Sequence, residues 1–147
     1  MTLEEKINAD IKSAMLAKES AKLEALRAIK SAILLMKTSG DDITADAENK
    51  ALQKMVKQRK ETADLYIQQS RQDLADVELT QAAVIENYLP KQLSAEEIEI
   101  EVKKIIAQMG VSGIAEMGKV IGASNKQLAG KADGKVISDI VKKILSA

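Results

Sequence analysis

The chain contains no cysteine and no histidine, no phenylalanine or tryptophan, a single proline and two tyrosines. Each scarcity removes a class of chemistry. Without cysteine there are no disulfides and no thiolate nucleophile, and nothing points to an oxidising compartment. Without histidine the usual general base near neutral pH and the commonest zinc ligand are missing. Zinc sites and Cys/His nucleophile pairs fall with them, and no metal or cofactor is expected. Tyr66 and Tyr88 are too few to stack the bases of a single strand, so any RNA bound here is met through backbone and folded shape. No apolar run approaches the roughly 18 residues that a membrane helix needs. The start, Met1-Thr2-Leu3-Glu4-Glu5, is acidic rather than signal-like. The expectation is a soluble cytoplasmic protein with no membrane partner. The charges balance at 22 basic and 22 acidic, so no global field draws the chain toward nucleic acid.

What remains is aliphatic and charge-rich: of 147 residues, 46% are hydrophobic and 30% charged. Ile, Leu, Val, Met and Ala suit helix packing, and residues of high helix propensity dominate. The fold class expected is all-α. Thr2 and Glu5 form a capping box, after which Leu3, Ile7, Ile11 and Ala14/Met15 recur at helical spacing. This helix fades near Lys18, and Ser20 is placed to cap the next. Leu23, Leu26, Ile29, Ile33 and Leu34 continue a stripe until Thr38-Ser39-Gly40 stops it. Gly40-Asp41-Asp42-Ile43-Thr44 reads as a loop. Thr44 opens a long third helix, with Asp46 and Glu48 near its positive end. A fourth, over about residues 73–88, is expected to bury Leu74, Val77, Val84 and Ile85 until Pro90 ends it.

Ser94 and Glu97 form a second capping box, with Leu93 and Ile98 at the positions of a hydrophobic staple. Ile98, Val102, Ile105 and Met109 then face inward until Gly110. Two further helices start near Ser112 and Asp133, the last burying Val136/Ile137, Ile140, Val141 and Ile144. Leu89-Pro90-Lys91-Gln92 separates the two groups. The expected organisation is an N-terminal four-helix domain over residues 1–90, then a small C-terminal three-helix bundle over residues 91–147.

Six of the seven glycines are Gly110, Gly113, Gly118, Gly122, Gly130 and Gly134. From Gly110 onward six lysines stand against Glu116, Asp133 and Asp139, so this tail is mildly basic. Gly118 and Gly122, four apart on one helix, allow another backbone to come close. Asp133 caps the last helix, and Gly134 in its first turn exposes amide hydrogens. A phosphate docked there would have Lys131 and Lys135 beside it and Lys119 or Lys126 nearby, with the Asp133 carboxylate opposing it. The candidate nucleic-acid-binding residues are therefore Lys119, Lys126, Lys131, Gly134 and Lys135. The same residues also read as tight turns in a minimal bundle. A second cationic run, Lys54, Lys57, Arg59 and Lys60, covers a broad helical angle while Met55, Val56 and Ala63 face inward. It reads as a binding surface, or as a solvated outer face with i,i+4 pairs such as Lys57–Glu61.

No catalytic residue is nominated. No serine sits in a Gly-x-Ser-x-Gly elbow, and neither a Walker-type loop nor a Rossmann fingerprint is present, because the glycines follow helices rather than strands. A small helical chain also offers little concave space for carboxylate-only catalysis.

Several stretches together resemble the YqeY-like proteins. They are Val56-Lys57-Gln58-Arg59-Lys60-Glu61, the linker Tyr88-Leu89-Pro90-Lys91-Gln92-Leu93-Ser94, and the tail Met117-Gly118-Lys119-Val120-Ile121-Gly122 with Gly130-Lys131-Ala132-Asp133-Gly134-Lys135-Val136. The resemblance extends over essentially the whole chain. It implies an N-terminal helical domain and a three-helix tail similar to that of the B subunit of the glutamine-dependent aspartyl/glutamyl-tRNA amidotransferase, a tail that contacts tRNA. It also implies a formal label of carbon–nitrogen ligase with glutamine as amido donor, although nothing here corresponds to a catalytic body. Residues 124–129 depart from the family's usual pattern, which is richer in lysine there. Three readings follow: a non-catalytic tRNA-associated accessory module, a ligase in the inherited sense, and a protein-interaction adaptor working through grooves between its helices.

Overall fold

The computed structural model describes residues 1–40 and 42–147; Asp41, within the loop expected over residues 40–44, lies outside the described residues. The fold is all-α. Its elements are α1 (Leu3–Leu16), α2 (Ser20–Thr38), α3 (Ala45–Gln68), α4 (Gln72–Glu86), α5 (Ala95–Met109), a 3₁₀ turn (Ile114–Glu116), α6 (Met117–Gln127) and α7 (Gly134–Leu145). No helix among the described residues is long and apolar enough to cross a membrane. The chain divides into two compact units, Met1–Leu89 and Pro90–Ala147.

In the first unit, α1 and α2 form one hairpin and α3 and α4 another, with α2 laid against α4. Ile7 and Ala14 of α1, Ala25, Leu26, Ile29 and Ile33 of α2, Leu52 and Val56 of α3, and Ala82 and Ile85 of α4 make one core. Removing each larger aliphatic side chain from water stabilises the fold by about 2 kcal/mol. The capping box at α1 is formed: the Glu5 amide donates to Thr2 Oγ1 at 3.1 Å and the Thr2 amide to Glu5 Oε2 at 3.0 Å. Thr44 Oγ1 accepts from the Ala47 amide at 3.1 Å and opens α3.

Both hairpin turns close without glycine. Lys18 and Ser70 take left-handed backbone, φ 57° and 60°. The next amide then reaches back across the last turn of the helix, Glu19 to the Ala14 carbonyl at 3.0 Å and Arg71 to that of Tyr66 at 2.8 Å. This backbone closure corrects the reading of Ser20 as a cap. Glu19 takes the N-cap position with no side-chain hydrogen bond, and Ser20 is already helical.

Burial along α4 also differs from expectation. Ile85 is fully buried but Val77 is 44% exposed. The α3 and α4 side chains that meet the shared core lie at residues 52–56 and 82–85, with Tyr88 and Leu89 following α4, so the turn end of this hairpin runs on past it.

In the second unit, α5, α6 and α7 pack pairwise around Ile98, Val102, Val120, Leu128, Ala132, Ile137, Val141 and Leu145. Leu93 packs on this core beside Ile98, and the Ser94–Glu97 capping box is formed at 3.2 Å in both directions. Gly110, at φ 68°, supplies the left-handed residue that ends α5. Met109, expected inside, is 38% exposed at the very end of α5; of the Val136/Ile137 pair it is Ile137 that is buried, while Val136, about 100° round the helix, is 38% exposed.

Candidate nucleic-acid interface

The glycine–lysine tail resolves into the end of α6, a short connection and the start of α7. Lys119 and Lys126 lie seven residues apart on α6. That is two turns, about 10 Å along the axis and nearly one line on the helix surface. Gly122 falls on the same side between them, and all three are exposed. The opposite side of α6 carries Val120 and Ser124, both fully buried, which fixes the lysine side outward.

The bundle then brings α6 and α7 together at one point. A Cβ built on Gly134 would meet Asn125 Oδ1 at 3.7 Å. Lys126 and Lys135 are the immediate chain neighbours of those two residues, and both are exposed. Lys131 is held in the connection between them. Its amide donates to the Leu128 carbonyl at 3.0 Å, and its carbonyl accepts from the Leu93 amide at 2.9 Å. The Gln92 side-chain amide donates to the neighbouring Gly130 carbonyl at 2.7 Å, which ties residue 92 to the connection.

Four of the five candidates, Lys126, Lys131, Gly134 and Lys135, thus lie along the chain from the end of α6 to the start of α7, all exposed. Lys119 stands apart and is paired with Glu116 at 3.3 Å. The other lysines have no carboxylate within ion-pairing distance among the described residues. Asp133 caps α7 through the Lys135 amide at a long 3.4 Å, so its carboxylate stands over part of the helix's positive end.

The expectation that Gly118 and Gly122 admit a neighbouring helix is not met within the bundle. A Cβ on either would have nothing within 4 Å, because their side of α6 faces solvent rather than α5 or α7. Whatever use the bare backbone has, it is on the outside.

The second cationic run is largely absorbed by the first unit. Lys60 pairs with Glu86 at 2.7 Å rather than Lys57 with Glu61, since α4 presents its carboxylate across the hairpin. Arg59 is half-buried. It donates from Nε to Gln81 Oε1 at 3.1 Å, and the Gln81 amide donates to Glu24 Oε2 at 3.0 Å. This relay joins α3, α4 and α2, and sequence reading missed it. Its signal was positional: Arg59 falls beside the apolar line of Leu52, Val56 and Ala63, where a lysine-like outer residue is not expected.

A second polar tie in that unit joins the Tyr88 hydroxyl, as donor, to Asp10, with Lys6 Nζ 5.4 Å from the Tyr88 ring centre. Burial, reinforced by the hydrogen bond to Asp10, pushes the Tyr88 hydroxyl well above the ordinary phenol range. In the second unit the Ser94 amide and hydroxyl hold the Glu97 carboxyl below its usual range. Both perturbed groups are explained by structural ties, and no cluster of three potential metal-ligating side chains occurs among the described residues.

A family model described as Yqey-like protein matches residues 4–145. The relatives found carry the name Altered inheritance of mitochondria protein 41, mitochondrial. The protein from Clavispora lusitaniae is 35% identical over 97 residues, 66% of this chain and 57% of its own length. That from Meyerozyma guilliermondii is 31% identical over 119 residues, 69% and 63% of the two chains. That from Pyrenophora tritici-repentis is 27% identical over 145 residues, 97% and 80%. The chain thus spans between about half and two thirds of the first of these relatives' lengths. Their names overturn the cytoplasmic expectation, since each is called mitochondrial. The features behind that expectation, no cysteine and no long apolar run, do not separate one reducing aqueous compartment from another.

Proposed function

The chain belongs to the YqeY-like protein family, and from that premise we propose a non-catalytic accessory module that docks folded RNA, tRNA foremost, on its second unit. The observation that carries this reading is that Lys126, Lys131 and Lys135, from the end of α6 to the start of α7, have no carboxylate within ion-pairing distance among the described residues. All three are exposed, and Gly134 lies beside Asn125. The lysines supply charge without base readout, and Gly122 lets a sugar-phosphate backbone approach α6 between Lys119 and Lys126. With both tyrosines in the first unit, contacts are to phosphate and shape. A tail similar to the tRNA-contacting tail of the amidotransferase B subunit, which the sequence resemblance implies, belongs to the same reading, and the relatives' names carry a mitochondrial setting into it.

Fluorescence anisotropy with labelled tRNA over a salt series tests it. Three phosphate contacts give a log–log salt slope of roughly −2 to −3, and Lys131→Glu with Lys135→Glu weakens binding further. Salt-independent binding, or none at low salt, sinks the reading. Glutamine-dependent amidation of mischarged tRNA by the purified chain would replace it with the ligase one.

A further inference from the structure

We propose that the turn end of the α3–α4 hairpin is a docking face for a basic amphipathic helix of a partner protein. The hairpin outruns its core. Ala63 and Ala75 are both fully buried, yet neither belongs to the core that α1 and α2 complete. Ala63 lies near the end of α3 and Ala75 near the start of α4, on either side of the turn. Alanine side chains bury little apolar area there.

The apolar line that faces the core lower down continues onto this overhang. On α3 the line Leu52, Val56, Ala63 runs on to Ile67, which is 47% exposed. On α4 the line through Ile85 and Gln81 runs back to Leu74, half-buried, and Val77, 44% exposed. Tyr66 flanks the pair, also half-buried. Lower in the hairpin the equivalent face is covered by α2. Nothing covers it at the turn end among the described residues, and a helix laid there would extend the same packing.

Charge selects the occupant. The segment over residues 61–80 carries Glu61, Asp64, Asp73, Asp76 and Glu78 against Arg71 alone. Arg71 is already spent on Asp73 through two hydrogen bonds of 3.1 and 3.0 Å. Asp64, Asp76 and Glu78 have no ion-pair partner among the described residues. In a chain of zero net charge this is a local acidic field. It repels nucleic acid, and it repels the same face of a second copy. A helix with an aliphatic stripe bordered by lysine or arginine meets both the apolar line and the acids.

The probe is a synthetic amphipathic peptide of leucine and lysine, titrated into the full chain and followed by amide chemical-shift changes and by calorimetry. Saturable binding is expected, with shifts confined to residues 61–80. Ile67→Ser and, separately, Val77→Ser weaken it about tenfold; both positions are exposed, so either serves if the other misfolds. Asp64→Lys with Asp76→Lys abolishes its salt dependence, and a peptide with glutamate in place of lysine does not bind. Shifts centred on other residues, equal binding by the charge-reversed variant, or dimerisation of the unliganded chain that Ile67→Ser removes would each overturn the proposal.

Discussion

Ser124 is the one buried side chain whose polar atom finds no partner among the described residues: its Oγ is enclosed and without a hydrogen bond. A buried hydroxyl left unsatisfied costs about 1–3 kcal/mol, so Ser124→Ala should leave stability unchanged or raise it by about 1 kcal/mol in urea melts. A loss of more than that would mean that the hydroxyl has a partner in solution. Tyr88 makes the opposite prediction. Its hydroxyl ionises harder in the folded chain than in the unfolded one. The stability it contributes is therefore intact below the unfolded phenol value of about 10 and lost as pH rises above it. Stability measured between pH 9 and about 11 should fall for the native chain, and Tyr88→Phe should flatten that fall. An unchanged slope would remove the Asp10 contact from the account.

At the scale of the element, Gly122 separates two explanations for glycine in α6. It is exposed mid-helix, with room for a methyl group, so Gly122→Ala should stabilise the second unit by about 0.5–1 kcal/mol. If RNA backbone approaches that side, the same variant binds tRNA more weakly despite being more stable. A variant that gains stability and keeps full affinity would move the interface off α6. α7 adds a complementary case. Asp133→Asn keeps a capping side chain and removes the charge that opposes a phosphate, so tRNA affinity should rise several-fold; unchanged affinity would place the RNA away from the α7 start. Elements of this kind were legible in sequence where a local rule acts alone. Thr2/Glu5, Thr44 and Ser94/Glu97 announced three helix starts, and Gly110 announced an end. The hairpin turns at Lys18 and Ser70 were not legible as left-handed, because the residue types there give no such signal and the flanking helices impose it. The lysines of the tail could be named from sequence. The pairing of Lys119 with Glu116 is an i,i+3 contact of the kind a local pattern encodes, whereas the approach of Gly134 to Asn125 is a tertiary contact that it does not. Arg59 is the reverse case, since its neighbours in the run concealed a half-buried role.

For the molecule as a whole, zero net charge conceals opposite local fields: acid at the α3–α4 turn end and lysine at the α6–α7 junction. Each belongs to a unit with its own aliphatic core, so each unit holds what it needs to fold. The second, at roughly 60 residues, is near the lower size limit for a stable single core, and the first draws on a larger set of buried side chains. Denaturation should therefore proceed in two steps, with the second unit opening first. The chain supplies its own probe for this, because Tyr66 and Tyr88 both lie in the first unit. Tyrosine fluorescence follows that unit alone, whereas circular dichroism at helical wavelengths follows both. The dichroism curve in urea should begin to fall at lower concentration than the fluorescence curve, and the two should merge at the final transition. Coincident curves would show that the units unfold as one. A binding event on either would then be felt by the other through shared stability, and the RNA and peptide titrations would have to be read as linked.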